Sequence, residues 1–177
     1  MKHILLLSLL IFSLTKSLSA EVLLSPIDAM KENYSKTATI SKKNILLSGE
    51  KFHKIQSDAK VKLQTKIYRI YIAKENAKIL GYGILINKKV RSKNAVVMYL
   101  ITKEGILKGI EIIAFNEPHE YIPSKTWTSQ FQNIPTNKML KLSRDIPTIT
   151  GATLSARSVT DGSRIAFALY NELLKEK

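Results

Sequence analysis

From residue 66 to residue 115, apolar and polar side chains alternate with a period of two, which predicts β-strands. Four stretches carry the pattern: Ile67 to Ile72, Ile79 to Ile86, Val96 to Ile101 and Leu107 to Phe115. Short links at Lys74-Glu75-Asn76-Ala77 and Lys103-Glu104-Gly105 predict antiparallel hairpins. Upstream, Ser25-Pro26 predicts a short helix through about Tyr34, because Ser caps well, Pro suits the first helical position and Asp28 suits the first turn. A strand-like stretch from Ala38 to Leu47 follows. Ser48 then caps a second helix in which Phe52, Ile55 and Ala59 recur at helical spacing.

Downstream, Glu117 to Asn137 is rich in proline and reads as an irregular excursion with one short helix around Trp127. Ser155 to Lys175 is the strongest helical pattern, with Val159, Gly162, Ala166, Leu169 and Leu173 at steps of three and four. Helices, a run of strands and a final helix predict an α+β fold: a mostly antiparallel sheet of four or more strands packed with helices, and a long C-terminal helix. No repeat, low-complexity tract or linker interrupts residues 21–177, which are expected to form one domain.

The first twenty residues are of a different kind. Met1-Lys2-His3 is a basic start, Ile4 to Leu14 is almost wholly apolar, and Thr15 to Ala20 turns small and polar. This build predicts a secretory signal peptide over residues 1–20, too short in its apolar run to span a bilayer comfortably. The expected location is therefore outside the cytoplasm, periplasmic or extracytoplasmic, with peripheral membrane association left open. The 177-residue chain has no cysteine, which excludes disulfides, thiolate metal sites, iron–sulfur clusters and thiol catalysis.

The formal charge of +14 comes from 28 Lys and Arg against 14 Asp and Glu. These cations are spread along the chain, no nucleic-acid-binding motif accompanies them, and an export signal argues further against a nucleic-acid partner. A basic surface meeting anionic lipid or an acidic partner accounts for the charge.

Most chemical patterns dissolve on inspection. Gly81-Tyr82-Gly83 lacks the third glycine of a dinucleotide loop and lies within a strand. Ser57-Asp58-Ala59-Lys60 has the Ser-x-x-Lys spacing without companion motifs. His53 and His119 have no ligand spacing between them, so no metal site is expected. Glu117 and Glu120 have the spacing of paired carboxylates, but a solvated loop is the better reading.

One segment stands apart. Thr150-Gly151-Ala152-Thr153-Leu154-Ser155 runs directly into the C-terminal helix, setting hydroxyls around two minimal side chains where free N–H groups and the helix dipole favour a phosphate. Arg157, in the first turn, offers a cation. On these residues alone, a helix cap by Thr153 or Ser155 explains the pattern as well as a phosphate site does.

The run Thr-Gly-Ala-Thr-Leu-Ser-Ala-Arg-Ser-Val-Thr-Asp at 150–161 resembles the flavinylation segment of the FMN-binding domain family, which includes covalent-FMN subunits of the sodium-translocating NADH:quinone reductase and of the Rnf complex. Gly81-Tyr82-Gly83, Val90-Arg91-Ser92-Lys93, Gly105 to Ile110, Glu117-Pro118, Trp127 and Gln130-Phe131 extend the resemblance over roughly residues 40 to 175. The resemblance implies FMN as cofactor, esterified through its phosphate to Thr153 by a flavin transferase. It also implies a membrane or extracytoplasmic redox partner. Thr150, Gly151, Ala152, Leu154 and Ser155 would surround the phosphate. For the ring, the Glu117-to-Tyr121 loop and Trp127 are the candidates, while Trp127 as a core anchor and Glu117 as a surface residue explain the pattern at least as well. One departure is Pro147, which occupies a position usually held by Asp; Asp145 lies two residues earlier. The implied role is an electron carrier rather than an independent enzyme. The alternatives are a cofactor-free exported binding module with a basic surface, or a flavin-dependent reductase of a small molecule.

Overall fold

The computed structural model describes residues 22 to 175, so the expected signal peptide lies outside the described residues. Strands β1 (Thr39–Leu46), β2 (Ile67–Glu75), β3 (Lys78–Lys89), β4 (Asn94–Thr102), β5 (Ile106–Phe115) and β6 (Ile134–Pro135) follow one another across one sheet in sequence order. Every neighbouring pair is antiparallel. The α-helices are α1 (Pro26–Asn33), α2 (Gly49–Ala59), α3 (Lys125–Thr128) and α4 (Thr153–Leu173). The α+β architecture expected from the sequence is the one observed.

Local chemistry accounts for the element boundaries. Ser25 and Ser48 cap α1 and α2, their hydroxyls accepting from the N–H groups of Ile27 and Lys51 at 3.3 Å each. Asn76 and Ala77 join β2 to β3 at positive φ, 48° and 64°, a geometry that follows the strands' own twist. Gly105, at φ 83°, makes the β4–β5 turn.

Alternation along the strands then sorts side chains to two faces. Tyr68, Ile70, Tyr82, Ile84, Ile86, Val97, Tyr99 and Ile101 are buried beneath α2 and α4. Tyr71, Ala73, Met98 and Leu100 are buried on the opposite face with Ala29 and Met30 of α1. Each large apolar side chain removed from water this way contributes about 1.5–3 kcal/mol before entropy is charged against it. The Gly81-Tyr82-Gly83 run belongs to this packing. A side chain at Gly81 would strike the ring of Tyr34, whose hydroxyl reaches the carbonyls of Tyr82 at 3.0 Å and Ile101 at 2.8 Å.

Helix α4 is the central helix, with Val159, Gly162, Ala166 and Leu169 all buried as the spacing predicts. Leu173 is partly buried against the same core. The fully buried Tyr99 hydroxyl donates to the carbonyl of Val159 at 2.8 Å. Gly162 lies beside it, and a methyl group there would overlap that hydroxyl. Further along, Tyr170 donates to the carbonyl of Lys103 at 2.5 Å, and Asn171 exchanges contacts with Thr136 at 2.9 Å. The C-terminal half of α4 is thus tied to the β4–β5 turn. Its N-terminus is directed to the other end of the sheet, where β3 turns into β4 and β5 ends.

Gly162→Ala is expected to destabilise the fold by about 2–3 kcal/mol through overpacking, and Tyr99→Phe by about 1 kcal/mol through the lost hydrogen bond. Combined, they should cost less than the sum, because Phe lacks the oxygen that the new methyl strikes. Urea unfolding of the three variants checks this, and strictly additive costs would place the clash elsewhere.

Candidate functional site

The β3–β4 connection is a tight turn closed by the Val90 N–H donating to the carbonyl of Lys93 at 2.9 Å. Glu117, just beyond β5, reaches under it. Its Oε1 accepts backbone N–H bonds from Arg91 at 3.1 Å, Ser92 at 2.5 Å and Lys93 at 2.7 Å. The Ser92 hydroxyl adds contacts of 3.3 and 3.2 Å to the two carboxylate oxygens. Glu117 is itself only 7% exposed. These donors, led by the Lys93 N–H, favour the ionised form and hold the carboxyl below the ordinary glutamate range, against the opposing effect of desolvation. Glu117 is therefore a brace for the turn, while its sequence neighbour Glu120 is exposed and takes no part in a carboxylate pair.

Helix α4 begins two residues earlier than its apolar periodicity predicts, at Thr153 rather than Ser155. The capping position is held by Ala152, which has no side chain to offer, so neither Thr153 nor Ser155 supplies the cap. The first intrahelical bond runs from the N–H of Ala156 to the carbonyl of Ala152 at 3.1 Å. The turns before it leave the N–H groups at the head of the helix without a side-chain acceptor. Gly151 has φ +77°, a left-handed conformation that costs other L-residues strain, and a Cβ there would meet nothing within 4 Å.

An open cavity of about 230 Å³ joins these two features. Its lining is Gly151 to Ser155 from the head of α4, Val90 and Arg91 from the β3–β4 turn, Glu117, and Tyr121 from the short 3₁₀ turn His119–Tyr121. Of the residues singled out from the sequence, Gly151, Ala152, Thr153, Leu154, Ser155 and Glu117 are brought together here. Thr150 is exposed beside the cavity without lining it. Trp127 also lies outside the lining. It is buried, its ring meets Phe131 edge-on at 5.2 Å, and its Nε1 donates to the carbonyl of Pro147 at 2.9 Å. Trp127 thus anchors the stretch of chain that leads into the Thr150–Ser155 segment.

Arg157 is exposed and outside the lining, and the cation that does line the cavity is Arg91. The sequence gives Arg91 no role of its own, because nothing local to residue 91 announces that its turn folds against residue 153. Asp145 is also distant from the chemistry, since its carboxylate accepts from the Lys141 N–H at 2.9 Å and closes its own loop. Among the described residues no cluster of metal-binding side chains occurs, and no helix is long and apolar enough to cross a membrane. A cavity of similar size, about 210 Å³, lies between Asp58, Thr136, Lys138, Arg164 and Asn171, and contains none of the candidate flavin-site residues.

The two threonine and serine hydroxyls at the head of α4 differ sharply in access. Thr153 is exposed, and its hydroxyl makes only a long contact of 3.4 Å to the carbonyl of Ile149. Ser155 is 1% exposed.

The chain is similar to a component of a redox complex. It is 25% identical over 165 residues to the G subunit of the Na(+)-translocating ferredoxin:NAD(+) oxidoreductase complex of Acetobacterium woodii, a match covering 82% of this chain and 80% of that protein. No protein-family model matches the chain.

Because the folded-state pKa of Glu117 is lowered, its brace contributes fully above the unfolded glutamate range and is lost as pH falls through the lower folded value. The amides of Arg91, Ser92 and Lys93 should therefore keep their protection at mildly acidic pH and lose it only in stronger acid. Glu117→Gln should lose protection of the same amides at neutral pH. Amide hydrogen exchange followed by NMR reads both effects, and unchanged exchange in the variant would remove Glu117 as the brace.

Proposed function

We propose that this chain is an exported flavin-binding electron-transfer protein in which residues 21–177 form one FMN-binding domain, with FMN attached through its phosphate to Thr153. The observation that carries the reading is the accessible Thr153 hydroxyl at an uncapped helix N-terminus, inside a cavity that also holds Arg91.

The residues present fit the group. At the head of α4, the backbone N–H groups and the positive end of the helix dipole favour a phosphate, and Arg91 adds a full cation. Gly151 and Ala152 keep side chains out of the way of a ligand approaching the backbone. The carboxylate of Glu117 is committed to three N–H donors, so it is a fixed brace rather than a free base. Val90, Tyr121 and the 45%-exposed Leu154 supply the less polar walls that a flat aromatic ring needs. Bound flavin supplies one- and two-electron chemistry, with the protein contributing position and electrostatics.

The similarity to a subunit of a sodium-translocating oxidoreductase complex supports electron transfer with a membrane-associated partner. An exposed Thr153 suits attachment by a separate flavin transferase, which must reach the hydroxyl from solvent. A covalent tether in turn suits an exported protein, whose dissociated cofactor would be diluted away. The cavity is small and open, so a ligand of flavin size would remain partly exposed to a partner. This favours a carrier over a reductase that encloses its substrate.

In a host with an active flavin transferase, intact mass should show one added FMN, with fluorescence surviving denaturation. Thr153→Ala should abolish that mass increment, while Ser155→Ala, at a buried position, should retain it. The reverse pattern, or an unmodified wild-type chain, would sink the assignment. Pro147→Asp, at an exposed position preceding the site, should raise the modified fraction if the transferase reads a carboxylate there, and an unchanged fraction would show that it does not.

A further inference from the structure

The β3–β4 turn concentrates charge. Lys88, Lys89, Arg91 and Lys93 are four cations within six residues. Lys88 turns inward, its Nζ 3.7 Å from Asp161 of α4. Lys89, Arg91 and Lys93 are exposed, and none of the three has an acidic side-chain partner among the described residues. The carboxylate that reaches the turn, Glu117, is bonded to its backbone. It braces the backbone from which these cations project and leaves them without an acidic side-chain partner. Beside this turn lies the cavity mouth, where Leu154 is a large apolar side chain left 45% exposed.

A fixed group of unpaired cations around a partly apolar opening is a surface arranged for a macromolecular partner of opposite charge. We infer that the braced β3–β4 turn is a docking surface for an acidic partner protein, which it brings over the cavity mouth. The identity of this surface as an electron-transfer contact rests on the flavin reading, whereas its cations belong to the chain regardless of cofactor. Charge complementarity selects the partner. A folded acidic surface can match all three cations while covering the exposed Leu154.

The test titrates the isolated protein, with its flavin content recorded, against a strongly acidic [2Fe–2S] ferredoxin as probe. Basic cytochrome c and anionic phosphatidylserine vesicles run in parallel. Binding to the ferredoxin should weaken about tenfold or more as salt rises from about 0.02 M to about 0.3 M, and cytochrome c should not bind. Lys89→Glu with Lys93→Glu, which leaves Arg91 in the cavity, should weaken binding about tenfold at low salt. Lys42→Glu with Lys43→Glu, an equal charge change on the exposed strand β1, should stay within about twofold. Lys89→Arg with Lys93→Arg should bind like wild type.

Equal weakening by the two reversal pairs would overturn the inference in favour of net charge alone. Failure to bind ferredoxin, or vesicle binding through Lys89 and Lys93 in its place, would overturn it as well. Flavin-loaded protein that does not dock would refute this surface and leave the flavin reading standing. Flavin-free protein that docks would do the opposite.

Discussion

Helix α4 can lie on the sheet only because Gly162 has no side chain where Tyr99 crosses to the carbonyl of Val159. Close packing makes this contact discriminating: a buried phenol must hydrogen-bond, and it can reach a helix carbonyl only if the neighbouring turn presents no Cβ. The bond sets the rotation and height of the helix over β4; Tyr170 then fixes its far end at the β4–β5 turn and Asn171 at Thr136, just past β6. What remains is the position of the near end. Thr153 is carried to the edge of the sheet where Arg91 and Glu117 already stand, so the cavity is a consequence of how the helix is seated.

Electrostatics at that edge follows a division of labour. The one acidic side chain lining the cavity is held by backbone donors, while the neighbouring cations face solvent unpaired. The arrangement satisfies a buried charge by hydrogen bonds, as a low-dielectric site requires, and leaves positive potential outside. A protein of formal charge +14 has many lysines that serve only solubility. Those on the β3–β4 turn differ because the turn is held rigid and adjoins a cavity.

Much of the fold was legible because its signals are local. Alternation from Ile67 to Phe115 requires only neighbouring residues, and so do the caps at Ser25 and Ser48. The start of α4 was misplaced by two residues because apolar periodicity begins with the buried face, while the first turn at Thr153 and Leu154 faces out. Trp127, in an irregular loop, read as either a ring contact or a core anchor, and the structure shows the anchor. Its partner, the Pro147 carbonyl, is twenty residues away and carries no sequence signature. The brace by Glu117 was equally hidden, since its three donors are backbone N–H groups that every residue but proline possesses.

By itself, then, the sequence determined the helices and the first five strands, their order, the class of fold and the segment from Thr150 to Ser155 that resembles a flavin attachment site, while the short strand β6 fell in a stretch read as irregular. These depend on side-chain periodicity, turn chemistry and a contiguous motif, all written in consecutive residues. Only the tertiary structure decided which hydroxyl of that segment is accessible, that Arg91 rather than Arg157 faces it, and that Glu117 braces the turn rather than facing a ligand freely. Those assignments depend on where a rigid helix comes to rest on a sheet. That position is set by long-range packing around Tyr99 and Gly162, which no local pattern encodes.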